Sequence, residues 1–87
     1  MQTYLYIIYS SKINKYYVGI SRDPERRLSF HNLGKAGRNA YTKRADDWQL
    51  LYTKVFDDIS SAKKFEKHIK RQKKRQYIEK IVRSAPR

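Results

Sequence analysis

Two apolar stretches separated by a polar turn open the chain. Residues 3–9 alternate between two sides that are both apolar, which is typical of a strand covered on both faces. Residues 10–15 are polar and include Asn14, a residue type that tolerates turn geometry. Residues 16–20 are apolar again, so the pattern predicts an antiparallel β-hairpin.

Three residues of this hairpin share one predicted face. Folding the chain about the middle of the turn places Tyr6 directly or diagonally opposite Tyr17, within about 5 to 8 Å. Gly19 follows Tyr17 by two residues and therefore lies on the same face. Because Gly19 has no side chain, we expect a substrate backbone to approach the sheet there.

A helix is predicted directly after the hairpin. Asp23 has the residue type of an N-cap, and Pro24 suits the first helical position. Arg27 and His31 are four residues apart and therefore share a helix face. Leu28 lies beside them and is expected to face the sheet, so Arg27 and His31 lie at the border of the buried side.

The middle of the chain predicts a loop and a third strand. Residues 35–47 are basic and show no period, which favours a long loop, and such loops in compact domains are often functional. Residues 48–56 alternate like a strand, with Leu50, Tyr52 and Phe56 expected on one face.

The C-terminal part of the chain is predicted to be helical. An aspartate at 57–58 can cap a helix whose apolar stripe is Ala62, Phe65 and Ile69. Glu66 follows Ala62 by four residues and lies at the edge of that stripe. It is the one acidic residue between Lys63 and Arg75, a segment with eight Lys or Arg residues.

These elements predict an α+β fold with the order β-β-α-β-α-α. A break near 72–75 separates the long helix from a last apolar patch at 77–82. We expect a small three-stranded antiparallel sheet flanked by helices. The 87 residues suit a single domain, which we place at 1–83, with a frayed tail at 84–87.

Charge narrows the class of partner. Twenty-one Lys and Arg residues against eight Asp and Glu leave a net charge of +13, which favours binding to polyanions. Nucleic acid is favoured over an anionic membrane because no predicted helix has a large apolar face. The chain has no cysteine, no apolar run long enough to span a membrane and no signal-peptide pattern, so we expect a cytoplasmic protein without disulfides or zinc thiolates.

Several motif segments that occur in order together resemble the GIY-YIG nuclease superfamily over nearly the whole chain. More narrowly, the chain is similar to small stand-alone bacterial members related to the catalytic domain of the excinuclease ABC C subunit. The motif segments are Tyr4-Leu5-Tyr6-Ile7-Ile8, Tyr16-Tyr17-Val18-Gly19-Ile20, Asp23 to Leu28 with His31-Asn32, Tyr41-Thr42, and Glu66-Lys67-His68-Ile69-Lys70. Three positions differ from the family pattern: Tyr4 stands in place of the name-giving glycine, Ile20 stands in place of a lysine, and a late asparagine has no counterpart.

The resemblance implies a catalytic set and a metal ligand. The family's two motif tyrosines match Tyr6 and Tyr17, its helix arginine matches Arg27, and His31 falls where members place a histidine or a tyrosine. The family's metal-binding glutamate matches Glu66. The resemblance therefore implies a metal-dependent phosphodiesterase, and we expect one Mg²⁺ or Mn²⁺ ion.

Each of these residues has a chemical role and a plainer alternative. Tyr17 would act as general base although tyrosine ionises near pH 10, with Arg27 and the metal favouring its phenolate and His31 relaying the proton. A single carboxylate, Glu66, suits Mg²⁺, which keeps several waters, and Arg27 suits a clamp on the phosphate. The plainer alternatives are a structural role in the strand for Tyr17, a surface ion pair with a lysine for Glu66, a solvated side chain for Arg27 and simple packing for Tyr6.

Other basic residues are expected to follow the phosphates of a nucleic acid without reading its bases. The candidates are Arg26, Arg38, Tyr41, Lys43, Arg44, Lys63, Lys67, Lys70, Arg71, Lys73 and Lys74.

We therefore expect an endonuclease acting on DNA rather than RNA, with low sequence specificity, in repair or processing. It should act as a monomer, with transient dimerisation as an open alternative. The alternatives from other classes are a catalytically inactive nucleic-acid-binding module and a basic protein bound to ribosomal RNA. These alternatives differ in whether the tyrosines, Arg27, His31 and Glu66 converge on one surface.

Overall fold

The computed structural model describes residues 2–33, 45–72 and 74–84. Its elements are β1 (Thr3–Ser10), β2 (Lys15–Ser21), α1 (Pro24–Asn32), β3 (Gln49–Phe56), α2 (Ile59–Gln72) and α3 (Arg75–Ser84). The predicted α+β class and element order are confirmed. Most of the predicted basic loop, residues 35–44, and residues 85–87 of the predicted tail lie outside the described residues. Ser84, the first residue of that tail, belongs to α3.

The sheet has the order β2-β1-β3, and both pairings are antiparallel. β1 is therefore the central strand, and its residues Leu5, Tyr6, Ile7 and Ile8 are all almost completely buried. A strand can bury consecutive residues only when both faces of the sheet are covered. The prediction of a doubly covered first strand is confirmed.

Each face of the sheet carries its own hydrophobic core. On one face Leu5, Ile7 and Val18 pack with Ile69 of α2, and apolar residues of α3 join them. On the other face Tyr6, Ile8 and Trp48 form a second core, against which Leu28 of α1 packs. Both motif tyrosines, Tyr6 and Tyr17, lie on this second face. The first face is filled by apolar residues of the sheet, α2 and α3.

A β-bulge in β3 changes which face of the sheet its side chains point to. Ile7 of β1 pairs with Tyr52, whereas the next residue, Ile8, pairs with Leu50, so the register shifts by one residue. The extra residue in β3 turns Leu50 towards the Tyr6 core and Tyr52 towards the opposite core. The prediction that Leu50, Tyr52 and Phe56 share one face is therefore wrong, because strict alternation does not survive an inserted residue.

Side-chain caps set the starts of two helices. The Asp23 carboxylate accepts a hydrogen bond from the Arg26 backbone N–H at 3.2 Å, and Pro24 is the first residue of α1. Asp58 accepts a hydrogen bond from the Ser61 backbone N–H at 2.7 Å at the start of α2. Both predicted caps are confirmed, and so is the break between α2 and α3.

The hairpin turn is held from two sides. Asn14 has a positive φ of 55°, as its residue type allows. Arg75 at the start of α3 donates to the Asn14 carbonyl at 2.9 Å and to its side-chain oxygen at 2.6 Å. The Asp47 carboxylate accepts from the Ser10 hydroxyl and, at 3.0 Å, from the Lys12 backbone N–H. These contacts tie the turn to α3 and to the segment that enters β3.

Candidate active site

Tyr6 and Tyr17 are neighbours on the α1 face of the sheet. Tyr6 pairs with Gly19 across the ladder and Tyr17 pairs with Ile8, so the two tyrosines are diagonal partners. Their ring centroids are 6.4 Å apart, which confirms the predicted proximity. Tyr6 is 1% exposed whereas Tyr17 is half-buried, so of the two tyrosines Tyr17 is the more accessible to a substrate.

Gly19 provides the space that the Tyr6 ring occupies. A Cβ atom built at position 19 would lie 2.6 Å from the Tyr6 hydroxyl oxygen and 3.1 Å from a ring carbon of Tyr17. These separations are well inside van der Waals contact. The expectation that Gly19 opens the sheet to a substrate backbone is therefore wrong, since the space is already filled by a protein side chain.

His31 comes from α1 and is fully buried beside the two tyrosines. Its Nε2 atom is hydrogen-bonded to the Tyr6 hydroxyl at 2.9 Å, and its ring centroid is 5.3 Å from that of Tyr17. The hydroxyl of a deeply buried tyrosine needs a polar partner, and His31 supplies it.

Asn32 fixes the end of α1 that carries His31. Its side-chain amide donates to the Trp48 carbonyl at 3.0 Å, and its side-chain oxygen accepts from the Trp48 backbone N–H at 2.6 Å. The sequence pattern indicates no role for Asn32. Its position directly after His31 in the helix motif was the available signal, but a bond to a residue sixteen positions away cannot be inferred from spacing.

Burial shifts the pKa values of Tyr6 and His31 in opposite directions. Burial, and then the neighbouring Tyr17, raise the pKa of Tyr6 to about 12, while Arg27 opposes the rise. Burial, and then the positive charge of Arg27, lower the pKa of His31 to about 4. Desolvation penalises the charged form of each group, so both side chains are neutral near pH 7.

The hydrogen bonds of His31 assign its tautomer. Among the described residues Nδ1 of His31 has no hydrogen-bond partner, although the side chain is fully buried. A neutral imidazole has one N–H, and an unpaired buried N–H is the costlier arrangement. We therefore assign the proton to Nε2, which donates to Tyr6. The Tyr6 hydroxyl is then free to donate its own proton to another group.

The two arginines of α1 have different environments. Arg27 is half-buried and lies close enough to Tyr6 and His31 to influence the pKa of each. Arg26 is exposed, and its guanidinium lies 5.4 Å from the centre of the Phe30 ring. Arg27 is thus the arginine that faces the tyrosines, as the helix spacing predicts.

Glu66 and Lys70 of α2 also lie near the two tyrosines. The Lys70 ammonium lies 3.2 Å from a carboxylate oxygen of Glu66 and 5.7 Å from the centre of the Tyr17 ring. The Glu66 carboxylate is also near enough to contribute to the raised pKa of Tyr6. Although α2 packs on the opposite face of the sheet, these two residues at its edge reach the tyrosines. All five residues proposed from the sequence are therefore neighbours.

The donor set suits a metal ion that carries much of its own hydration shell. Within residues 2–33, 45–72 and 74–84 no cluster of three or more His, Asp or Glu side chains could enclose an ion. Glu66 offers one carboxylate with a fifth of its side chain exposed, beside a half-buried tyrosine. Mg²⁺ and its close relatives bind in this way, through one or two carboxylates, waters and substrate phosphate oxygens. The residues present therefore fit such an ion.

A basic surface adjoins this group on α2. Lys63, Lys67 and Lys70 recur at helical spacing and are exposed, and the buried stripe of Ala62 and Ile69 faces away from them. Arg71 and Lys74 are exposed as well. The remaining candidates, Arg38, Tyr41, Lys43, Arg44 and Lys73, lie outside the described residues.

Comparison with known proteins identifies the family. Residues 2–80 match the GIY-YIG catalytic domain. The chain belongs to this family. Two UPF0213 proteins are similar to the chain. SSP2268 of Staphylococcus saprophyticus is 40% identical over 86% of the chain and 92% of its own length. HQ_3675A of Haloquadratum walsbyi is 37% identical over 87% of the chain and 85% of its own length.

A solved structure of another UPF0213 protein has a similar fold. The solution NMR structure of the UPF0213 protein BH0048 from Bacillus halodurans has a TM-score of 0.58 and 28% identity, covering 94% of the chain and 83% of that protein. The GIY-YIG domain is a nuclease domain with a nucleic-acid substrate, and its nucleases use divalent metal ions. None of the described helices is long and apolar enough to cross a bilayer.

Proposed function

We propose that this GIY-YIG protein is a metal-dependent endonuclease that hydrolyses phosphodiester bonds in DNA, with low sequence specificity and a preference for particular DNA structures. The observation that supports the proposal is the convergence of Tyr6, Tyr17, Arg27, His31 and Glu66 from four separate elements of the fold. Cytoplasmic DNA repair or processing by a monomer is the setting we propose for this activity.

The two tyrosines have different proposed roles. Tyr6 keeps its proton, because its pKa of about 12 lies far above neutral pH, so it orients the water or the phosphate as a hydrogen-bond donor. Tyr17 is more accessible to a substrate, and its ring lies 5.7 Å from the Lys70 ammonium at the edge of the basic surface of α2. We therefore assign the general base to Tyr17.

The remaining residues bind and orient. Arg27 clamps the scissile phosphate through its planar guanidinium. His31 is a weak proton acceptor at neutral pH, because its pKa is about 4, so its main role is to hold Tyr6 in place. Glu66 would hold one Mg²⁺ or Mn²⁺ ion, which when bound supplies charge neutralisation at the phosphate. The exposed lysines of α2 follow the DNA backbone.

A catalytically inactive nucleic-acid-binding module is the second candidate. The contact between Lys70 and Glu66 favours it, because this ion pair satisfies the carboxylate without a metal ion. The basic surface of α2 would bind nucleic acid in either case, so binding alone does not distinguish the two functions.

The deciding experiment measures nicking of supercoiled plasmid and of branched DNA, with Mg²⁺ and with EDTA. The variants are Tyr17→Phe and Glu66→Gln, and the matched control is Tyr16→Phe, the neighbouring tyrosine that faces the opposite core. We expect cleavage with Mg²⁺ only, and a loss of 10²-fold or more in both site variants, about the contribution of general acid–base catalysis. Tyr16→Phe should cleave like the parent.

Binding by fluorescence anisotropy separates the candidate functions. Retained binding with lost cleavage in Tyr17→Phe supports the endonuclease. Cleavage that neither substitution reduces would refute the proposed site. Tight binding by the parent without cleavage of either DNA would favour the inactive module.

A further inference from the structure

A groove lies beside the catalytic residues and has no role in the proposed chemistry. Its floor is formed by the sheet residues Tyr4, Leu50 and Thr53, and its volume is about 340 Å³. Thr53 pairs with Tyr6 across the ladder, and Tyr4 precedes Tyr6 by two residues on the same strand face. Two residues of a strand span about 7 Å, so the groove begins within one nucleotide's reach of Tyr6.

The wall of the groove comes from the start of α1 and is polar. Arg22, Asp23, Pro24 and Glu25 line it. The Asp23 carboxylate is held by the helix cap, and both Arg22 and Glu25 are exposed. The wall therefore offers hydrogen-bond donors from Arg22 and acceptors from Glu25 over an apolar and aromatic floor.

These surroundings favour a nucleobase over a phosphate. The carboxylates of Asp23 and Glu25 repel phosphate, whereas an uncharged base with donor and acceptor edges can use them. The volume lies within the range of small-molecule sites. Tyr4 supplies an aromatic ring of the kind on which unpaired bases stack. Tyr4 is also the residue that replaces the glycine of the family's first motif, so this chain has a ring where the family pattern has no side chain.

We propose that this groove binds the unpaired or extruded base next to the scissile phosphate, with the Tyr4 ring as the stacking surface. The inference rests on the proposed function, because that function places the phosphate at Tyr6 and Arg27. The inference also adds a substrate preference to the proposed function. A base can enter the groove only when it is unpaired, so the groove would favour single-stranded or branched DNA.

The test compares two oligonucleotides of equal charge in EDTA, where no cleavage occurs. One is a twelve-nucleotide thymidine strand and the other is the same backbone with every base replaced by an abasic residue. Affinities are measured by fluorescence anisotropy at low salt for the parent, Tyr4→Leu and Tyr4→Phe. Tyr4→Leu keeps apolar bulk but removes the ring, and Tyr4→Phe is the matched control that keeps it. Thermal unfolding verifies that the variants are folded.

We expect the parent to bind the thymidine strand about 5- to 150-fold more tightly than the abasic strand, the range that 1–3 kcal/mol of stacking produces. Tyr4→Leu should lose most of this ratio, whereas Tyr4→Phe should keep it. An equal ratio in the parent and in Tyr4→Leu, or a parent that binds neither strand, would overturn the proposal. Because these assays contain no metal, their failure is distinguishable from failure of the nuclease activity.

Discussion

Protonation of His31 should make the protein less stable in mild acid. The folded protein holds the pKa of this buried imidazole at about 4, against an ordinary value of 6.5 in the unfolded chain. Between these two values the unfolded chain binds a proton that the folded protein does not. Stability from this group is therefore present above pH 6.5 and is lost as the pH falls towards 4.

The expected magnitude follows from the two pKa values. A shift of one pKa unit corresponds to about 1.4 kcal/mol, and most of the interval is crossed between pH 7 and pH 5. The free energy of unfolding should fall by about 2 kcal/mol over that range, a sizeable part of the 5–15 kcal/mol that small domains possess. The Ser10 hydroxyl and other donors lower the pKa of Asp47 to about 2, so Asp47 affects the pH dependence of stability only below this pH range.

The assay is urea denaturation followed by circular dichroism at pH 7, 6 and 5. The variants are His31→Gln, which removes the buried titrating group, and His68→Gln, which removes the exposed histidine as a matched control. Between pH 7 and pH 5 the free energy of unfolding should fall by similar amounts in the parent and in His68→Gln. In His31→Gln it should fall by about 2 kcal/mol less. If His31→Gln shows the same pH dependence as the parent, or if NMR titration places the His31 pKa near 6.5, the described burial of His31 is incorrect.

Two further substitutions test how the site is built. Gly19→Ala places a Cβ against the buried Tyr6 ring and should destabilise the protein by about 1–3 kcal/mol, the usual cost of overpacking; an unchanged denaturation midpoint would contradict this packing. Asn32→Ala removes two hydrogen bonds, one to the Trp48 backbone N–H and one to the Trp48 carbonyl, and should cost about 2 kcal/mol, with the NMR pKa of His31 rising towards 6.5 as the end of α1 loosens. An Asn32→Ala protein of parental stability and parental His31 pKa would show that Asn32 does not position His31.

The order of the elements and the family follow from the amino-acid sequence alone. Turn residues, helix caps and apolar periodicity act over a few neighbouring positions, so the hairpin, the caps at Asp23 and Asp58 and the break before α3 were predictable. The GIY-YIG motifs then indicated the candidate site residues, among them Tyr17 and Glu66.

The contacts and charge states of those residues depend on the tertiary structure. The β-bulge that separates Leu50 from Tyr52, the Tyr6 ring that fills the space above Gly19, and the bond from Asn32 to Trp48 all depend on contacts between distant parts of the chain. The neutral state of His31 depends on burial, which no local pattern specifies. Spacing along a chain determines which face of an element a residue occupies, but the packing of that face against other elements determines its partners and its charge.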